Sequence, residues 1–82
     1  VNKVVPQAEL MQAAEELANR ICAAAPLSVQ GCKEAAYRGI EVPLVEGLKI
    51  EAEIMDKIGH SEDAKEGPRS FAEKRKPQWQ GK

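Results

Sequence analysis

The chain opens on a β-branched apolar run, Val1-Asn2-Lys3-Val4-Val5, closed by Pro6. Such a run favours strand geometry, and a proline disfavours helix in the residue before it, so residues 1–6 are expected to be extended. From there the apolar positions recur every three or four residues. Leu10, Ala14, Leu17 and Ile21 fall on one stripe, flanked by Met11, Ala18 and Cys22, while Glu9, Glu16 and Arg20 lie elsewhere. This predicts a first helix from about Gln7 to Ala24, with Pro26 disfavouring helical geometry at Ala25. A second helix is expected with Ser28 near its start and Gly39 as its stop, its core candidates being Val29, Cys32, Ala36 and Ile40. Pro43 suits the first turn of a third, whose stripe is Leu44, Leu48, Met55 and Ile58 with Ala52 alongside and Gly59 as its C-terminal cap. Ser61-Glu62-Asp63 supplies a capping hydroxyl and acids for a fourth helix. Gly67-Pro68 is expected to break it, with a restart through Ser70, Phe71 and Lys74 and an end at Pro77. The expected fold is all-α, four helices with the last one broken, behind an extended N-terminus.

Nothing else in the sequence reads as a strand, so a partner for Val1–Val5 is expected in a region preceding this chain. A start at Val1 rather than Met reads as an internal start, as N-terminal processing would also give. At 82 residues, with only Tyr37, Phe71 and Trp79 as aromatics, the chain can bury a thin Ala/Leu/Ile core and has little to enclose a catalytic pocket.

The net charge of −1 supplies no whole-chain field for nucleic acid or membrane. Its distribution is uneven. Residues 41–63 carry seven acids against Lys49 and Lys57. Residues 65–82 carry Lys65, Arg69, Lys74, Arg75, Lys76 and Lys82 against Glu66 and Glu73. This acidic middle and basic tail suit contacts within or between subunits, and two ordinary solvated helix faces would look the same. Cys22 and Cys32 read as small apolar residues in a reducing compartment, since two thiols without a histidine cluster make no zinc site. No segment reaches membrane-spanning length and no signal-peptide pattern appears, so a cytoplasmic location is expected.

Of the carboxylates, Glu46 and Glu53 share a helix face, yet acid–base work also needs a dry pocket and oxyanion donors. A solvated face is the plainer reading. His60 stands alone beside Gly59 and reads as a surface or capping histidine. The tail says more. Phe71, Lys74 and Arg75, spaced i, i+3, i+4, would put an aromatic plane and two cations on one helix face. That suits an adenine ring with phosphate nearby, although Phe71 could equally anchor the last helix in a core.

Taken in order, several motifs resemble the C-terminal region of enoyl-CoA hydratases of the crotonase superfamily. They are Val1-Asn2-Lys3-Val4-Val5-Pro6 with Glu9-Leu10, then Ala25-Pro26-Leu27-Ser28 with Lys33-Glu34, then Pro43-Leu44-Val45-Glu46-Gly47-Leu48 with Glu51. Most specific is Ser61-Glu62-Asp63-Ala64-Lys65-Glu66-Gly67-Pro68 running into Phe71-Ala72-Glu73-Lys74-Arg75-Lys76-Pro77, then Trp79 and Gly81, a tail also similar to carnitinyl-CoA dehydratases. The resemblance implies a fragment of a crotonase-type α/β fold: residues 1–6 as the end of the catalytic core, and 7–82 as the helical region that builds a homotrimer or hexamer. It places Phe71 and Lys74 at the adenosine end of an acyl-CoA substrate. It also puts the two catalytic glutamates and the oxyanion hole in a preceding core, so no residue here is catalytic and no metal or resident cofactor is called for.

The function implied is an oligomerisation and CoA-edge segment of an enzyme that adds water to trans-2-enoyl-CoA in acyl-CoA metabolism. A carnitinyl-CoA dehydratase or enoyl-CoA isomerase would use the same segment. The reading from another class is a stand-alone helical interaction module whose basic tail meets an acidic partner. A nucleic-acid surface would need a broader basic stripe than this one.

Overall fold

A computed structural model describes all of residues 1–82. Residues 1–6 form neither helix nor strand, and no hydrogen bond of the chain reaches Val1–Val5. A single 3-10 turn, Gln7–Glu9, swings off Pro6 through the Glu9 N–H donating to the Pro6 carbonyl at 2.9 Å. Four helices follow: α1 Leu10–Cys22, α2 Pro26–Gly39, α3 Leu44–Gly59 and α4 Glu62–Ala72. Pro26 occupies the first turn of α2, where its missing N–H is no loss, and Pro43 stands just ahead of α3. Ser61 caps α4, its Oγ accepting the Ala64 N–H at 3.1 Å.

Gly59 remains helical, and the residue closing α3 is His60 at φ −88°. The expected glycine cap is thereby corrected. The imidazole Nδ1 of His60 lies 2.7 Å from the Asp56 carbonyl oxygen, so the ring donates to the last turn and serves as the cap.

The substantial helix packing is between α2 and α3. Its closest point is Gly31, where an added Cβ would stand 2.3 Å from Ile58 Cδ1 and 3.0 Å from Ile54 Cγ2. The missing side chain is what lets the two axes approach. Ile54, 8% exposed, is the one buried apolar side chain, and none is fully enclosed. This overturns the α2 stripe read from the sequence, for Cys32, Ala36 and Ile40 face outward, with Val29 half-buried. Hydrophobic periodicity selects bulky positions, whereas this contact is built on a position with no bulk. On α3 the seam is likewise Gly47, Ile54 and Ile58, and the expected Leu44, Leu48 and Met55 form a second, exposed stripe.

The expected break at Gly67-Pro68 is also corrected, because α4 runs continuously through Pro68. Proline withholds the N–H that the Ala64 carbonyl would have received, and its ring crowds the preceding residue. Gly67 has no Cβ to be struck, and the Ser70 hydroxyl donates to the Gly67 carbonyl at 2.9 Å, tying the turn that lost a bond.

The molecule is flat, 43 × 40 × 18 Å, with a radius of gyration of 16.0 Å. A compact domain of this length would have a radius of about 12 Å. Its accessible surface is 7072 Å², against about 4,900 Å² for a compact protein of this mass. Leu10, Leu17 and Ile21 on α1, and Leu48 and Met55 on α3, leave about half their surface open. The stripe expected on α1 and the Leu44, Leu48 and Met55 part of that on α3 exist, and this chain does not cover them.

Candidate functional site

The polar architecture concentrates where α4 ends and the tail, residues 73–82, folds back. Lys74 stands at φ 53°. Its N–H donates to the Phe71 carbonyl at 3.2 Å, and the Arg75 N–H donates to the Ser70 carbonyl at 3.0 Å. These are the paired capping bonds of a helix closed by one left-handed residue, a place that normally belongs to glycine. A side chain there costs about 1 kcal/mol.

Arg75 fastens the turn. Its Nη1 and Nη2 donate to Oε1 and Oε2 of Glu66, the second at 3.0 Å, while Nε donates to Glu73 Oε2 at 2.6 Å. The Gln78 N–H adds a donation to Glu66 Oε1 at 2.9 Å. Bonds from Arg75, and then from the Gln78 backbone, hold the Glu66 carboxyl down at about 2. Glu73 is lowered as well, again first by its bond from Arg75, and Arg75 itself is raised by the two carboxylates. Both shifted acids move away from the range a general acid needs near neutrality, and their bonds to Arg75 hold the turn.

Beyond it the tail crosses α4. Both oxygens of the buried Asp63 carboxylate accept from the tail backbone, from Gln80 N–H at 2.7 Å and Gly81 N–H at 2.9 Å. The Asp63 N–H returns a bond to the Lys82 carbonyl at 3.1 Å. Gly81 takes φ 73°, which a side chain would resist. Trp79 lies over Gly67, its Cη2 3.7 Å from where a Cβ would be, and its indole N–H donates to the Ala23 carbonyl at 3.0 Å. One short tail thus joins α4 to the junction of α1 and α2.

Of the residues singled out from sequence, Phe71 is 87% exposed, so it anchors no core within this chain. The Phe71, Lys74, Arg75 helix face is corrected, since α4 ends at Ala72 and Lys74 is left-handed. The structure instead brings Phe71 and Lys74 to one exposed turn and turns Arg75 inward onto acids. The Lys74 ammonium has no hydrogen bond or ion pair within the chain.

Glu46 is exposed and paired with Lys49 at 3.1 Å. Glu53 lines an open cleft of about 350 Å³ between α2 and α3 with Glu34, Arg38 and Lys57. No group of three or more His, Cys, Asp or Glu is placed to hold a metal ion, and no helix is long and apolar enough to cross a membrane. The sequence reading missed the roles of Asp63, whose carboxylate accepts only from tail backbone groups, and of Glu66, whose Arg75 partner lies nine positions on, so no helical spacing marks either.

This arrangement of helices and tail is shared. The chain belongs to the enoyl-CoA hydratase/isomerase family, whose model matches residues 1–82. It is 44% identical over 86 residues to the carnitinyl-CoA dehydratase of Salmonella typhimurium, covering 100% of this chain and 33% of that protein. Among solved structures it resembles an enoyl-CoA hydratase/isomerase from Mycobacterium paratuberculosis, with a TM-score of 0.94 at 36% identity over 100% of this chain and 32% of the other. The enoyl-CoA hydratase of Bacillus anthracis gives a TM-score of 0.93 at 38% identity, over 96% of this chain and 31% of its own. The chain spans about a third of the length of the curated relatives it matches.

Proposed function

We propose that this chain is the C-terminal helical third of a crotonase-type enzyme, and that it supplies oligomer contacts and the adenosine edge of the acyl-CoA site. Family membership supports the class, and in the whole enzyme the reaction is addition of water to a trans-2-enoyl-CoA, one glutamate activating water and a second delivering the proton. Those groups belong to the preceding core, so residues 1–82 alone are inactive. Residues 1–6 close that core and residues 7–82 form the helical region, in a cytoplasmic trimer or hexamer.

The observation that carries the CoA reading is the exposed Phe71 ring on the same turn as the unpaired Lys74 ammonium. A flat apolar face takes a base by stacking, and an adjacent free cation takes phosphate. The exposed stripes of α1 and α3 support the oligomer reading, because they need a cover that this chain lacks. A dehydratase acting on carnitinyl-CoA is the second reading, favoured by the 44% identity to those relatives. The stand-alone basic module is weakened. Lys65 pairs with Glu62, Arg69 with Glu73 and Arg75 with Glu66, so three of the six cations in residues 65–82 are already engaged.

The test is Phe71→Ala in the full-length enzyme, assayed with an acyl-CoA and with the corresponding acyl-pantetheine. An adenosine contact far from the reacting bond is felt equally in ground and transition states, so it sets KM and leaves kcat alone. The variant should lose about 1–3 kcal/mol of acyl-CoA binding, the size of base–aromatic stacking. With acyl-pantetheine it should match the parent. An unchanged KM for both substrates removes the CoA reading, and a dissolved oligomer makes Phe71 a subunit anchor instead.

A further inference from the structure

We infer that Arg75 is a positioning residue for the adenosine end of the substrate: clasped by Glu66 and Glu73, it sets the left-handed turn that presents Lys74 beside Phe71. This rests on the CoA reading above and assigns a role that Lys74 and Phe71 do not carry themselves. From spacing alone Arg75 would be a second phosphate ligand. Its surroundings say otherwise.

Nε is spent on Glu73, Nη2 on Glu66, and Nη1 on Glu66 with the Lys76 carbonyl 3.3 Å away. Four of the five guanidinium N–H groups are thus engaged and the charge faces two carboxylates, so an approaching phosphate would meet one remaining Nη2 donor and an already neutralised cation. Its bonds fall on both sides of Lys74. Glu66 lies back on α4, Glu73 is the residue before Lys74 and the Lys76 carbonyl lies after it, while the Gln78 N–H donates to the same Glu66 carboxylate. The two capping bonds then fix the Lys74 and Arg75 N–H groups on Phe71 and Ser70. The backbone on both sides of Lys74 is held, while its exposed ammonium, three residues after Phe71, stays without a partner. A backbone conformation unfavourable for lysine, maintained by a fork of bonds on the next residue, is what a preorganised contact requires.

The test uses the full-length enzyme with matched acyl-CoA and acyl-pantetheine substrates and the variants Arg75→Ala, Arg75→Lys, Glu66→Gln and Lys74→Ala. Lysine cannot reproduce a two-on-two fork, so Arg75→Lys should behave as Arg75→Ala does. Both should raise KM for acyl-CoA by roughly two- to fivefold, the size of one exposed ion contact, with kcat and the acyl-pantetheine KM unchanged. Added to Lys74→Ala, Arg75→Ala should have no further effect on KM, because it acts through that residue.

A retained KM in Arg75→Lys, together with an additive loss in the double variant, would make Arg75 a direct phosphate ligand and overturn the inference. A fall in kcat, or a raised KM for both substrates, would reduce Arg75 to a stabilising role and overturn it equally. Should Arg75→Ala not fold, Glu66→Gln, which keeps the shape and removes the charge, must give the same KM split for the inference to stand. If Phe71→Ala and Lys74→Ala raise KM while the Arg75 and Glu66 variants do not, only the positioning role is lost. If none of them changes KM, the CoA reading itself has failed and the inference goes with it.

Discussion

Glu66 and Arg75 meet two-on-two across the end of α4, and the same carboxylate accepts the backbone N–H of Gln78. A helix residue is thereby joined to both arms of the turn that follows it. The Glu66 side chain is only 15% exposed, so the pair is better shielded than the ordinary surface ion pairs of this chain.

Acid should open this clasp. The Glu66 carboxyl is depressed from an ordinary 4.5 to about 2, first by its bond from Arg75 and then by that from Gln78. A depressed acid adds stability that is fully present above its unfolded value and lost as pH falls toward its folded value. The tail should therefore loosen between about pH 4.5 and about pH 2. Trp79, the sole tryptophan of residues 1–82, sits in that tail and makes the intrinsic fluorescence of this chain a local probe. Glu66→Gln should remove the part of the transition that lies in this window. A wild-type titration curve that survives in the variant would assign the transition to other groups.

Gly31 and Gly59 should respond to alanine in opposite directions. At Gly31 the new methyl meets Ile58 Cδ1, which can swing away, and Ile54 Cγ2, which is held near the backbone. Overpacking of this kind costs about 1–3 kcal/mol, and the better helix propensity of alanine returns less than about 1 of it. At Gly59, helical and with nothing within 4 Å, only the propensity gain is felt. Denaturant unfolding of both variants checks this. A stabilised Gly31→Ala would mean that the two helices are not pressed together at that point.

How far the sequence carries can be read from the same residues. The four helices were legible because proline, serine and the three-to-four-residue recurrence act locally. The α2 stripe was not, since Gly31 contributes to packing by lacking a side chain, and hydrophobic periodicity has no means of scoring that. The helix through Pro68 was hidden for another reason: besides Gly67 and the Ser70 hydroxyl, a tail that returns from beyond residue 73 braces it. At the site, Phe71 and Lys74 were named, but their shared turn was misread as a helix face. The Asp63 clamp joins groups 17 and 18 positions apart through backbone donors that every residue but proline possesses, so no residue type marks it.

Lys74→Gly should separate stability from binding. Glycine occupies the left-handed region freely, so the turn should gain about 1 kcal/mol. The ammonium is lost, and with it the proposed phosphate contact. The variant should unfold at higher denaturant while its KM for acyl-CoA rises, and Lys74→Ala should show the same KM without the gain in stability. A Lys74→Gly enzyme that is more stable and binds acyl-CoA as well as the parent would show that the strained lysine does nothing for the substrate.

Residues 1–82 prepared alone should not persist as a monomer of the shape described. The chain exposes 7072 Å², roughly 2,000 Å² more than a compact protein of its mass, and the stripes of α1 and α3 are part of that excess. Apolar faces of this extent on a small chain are covered by association or by collapse. Association is the expected outcome, because the tail bonds of Trp79 and Asp63 hold α1, α2 and α4 in place and resist closure onto a single core. Sedimentation should show a mass that grows with concentration, and scattering at the lowest concentrations should show loss of the ordered 16.0 Å form. Collapse without association would give a monomer nearer the compact radius of about 12 Å. A stable monomer that keeps the 16.0 Å radius and full helicity would mean that the open stripes need no partner, and the proposed oligomer role would lose its physical basis.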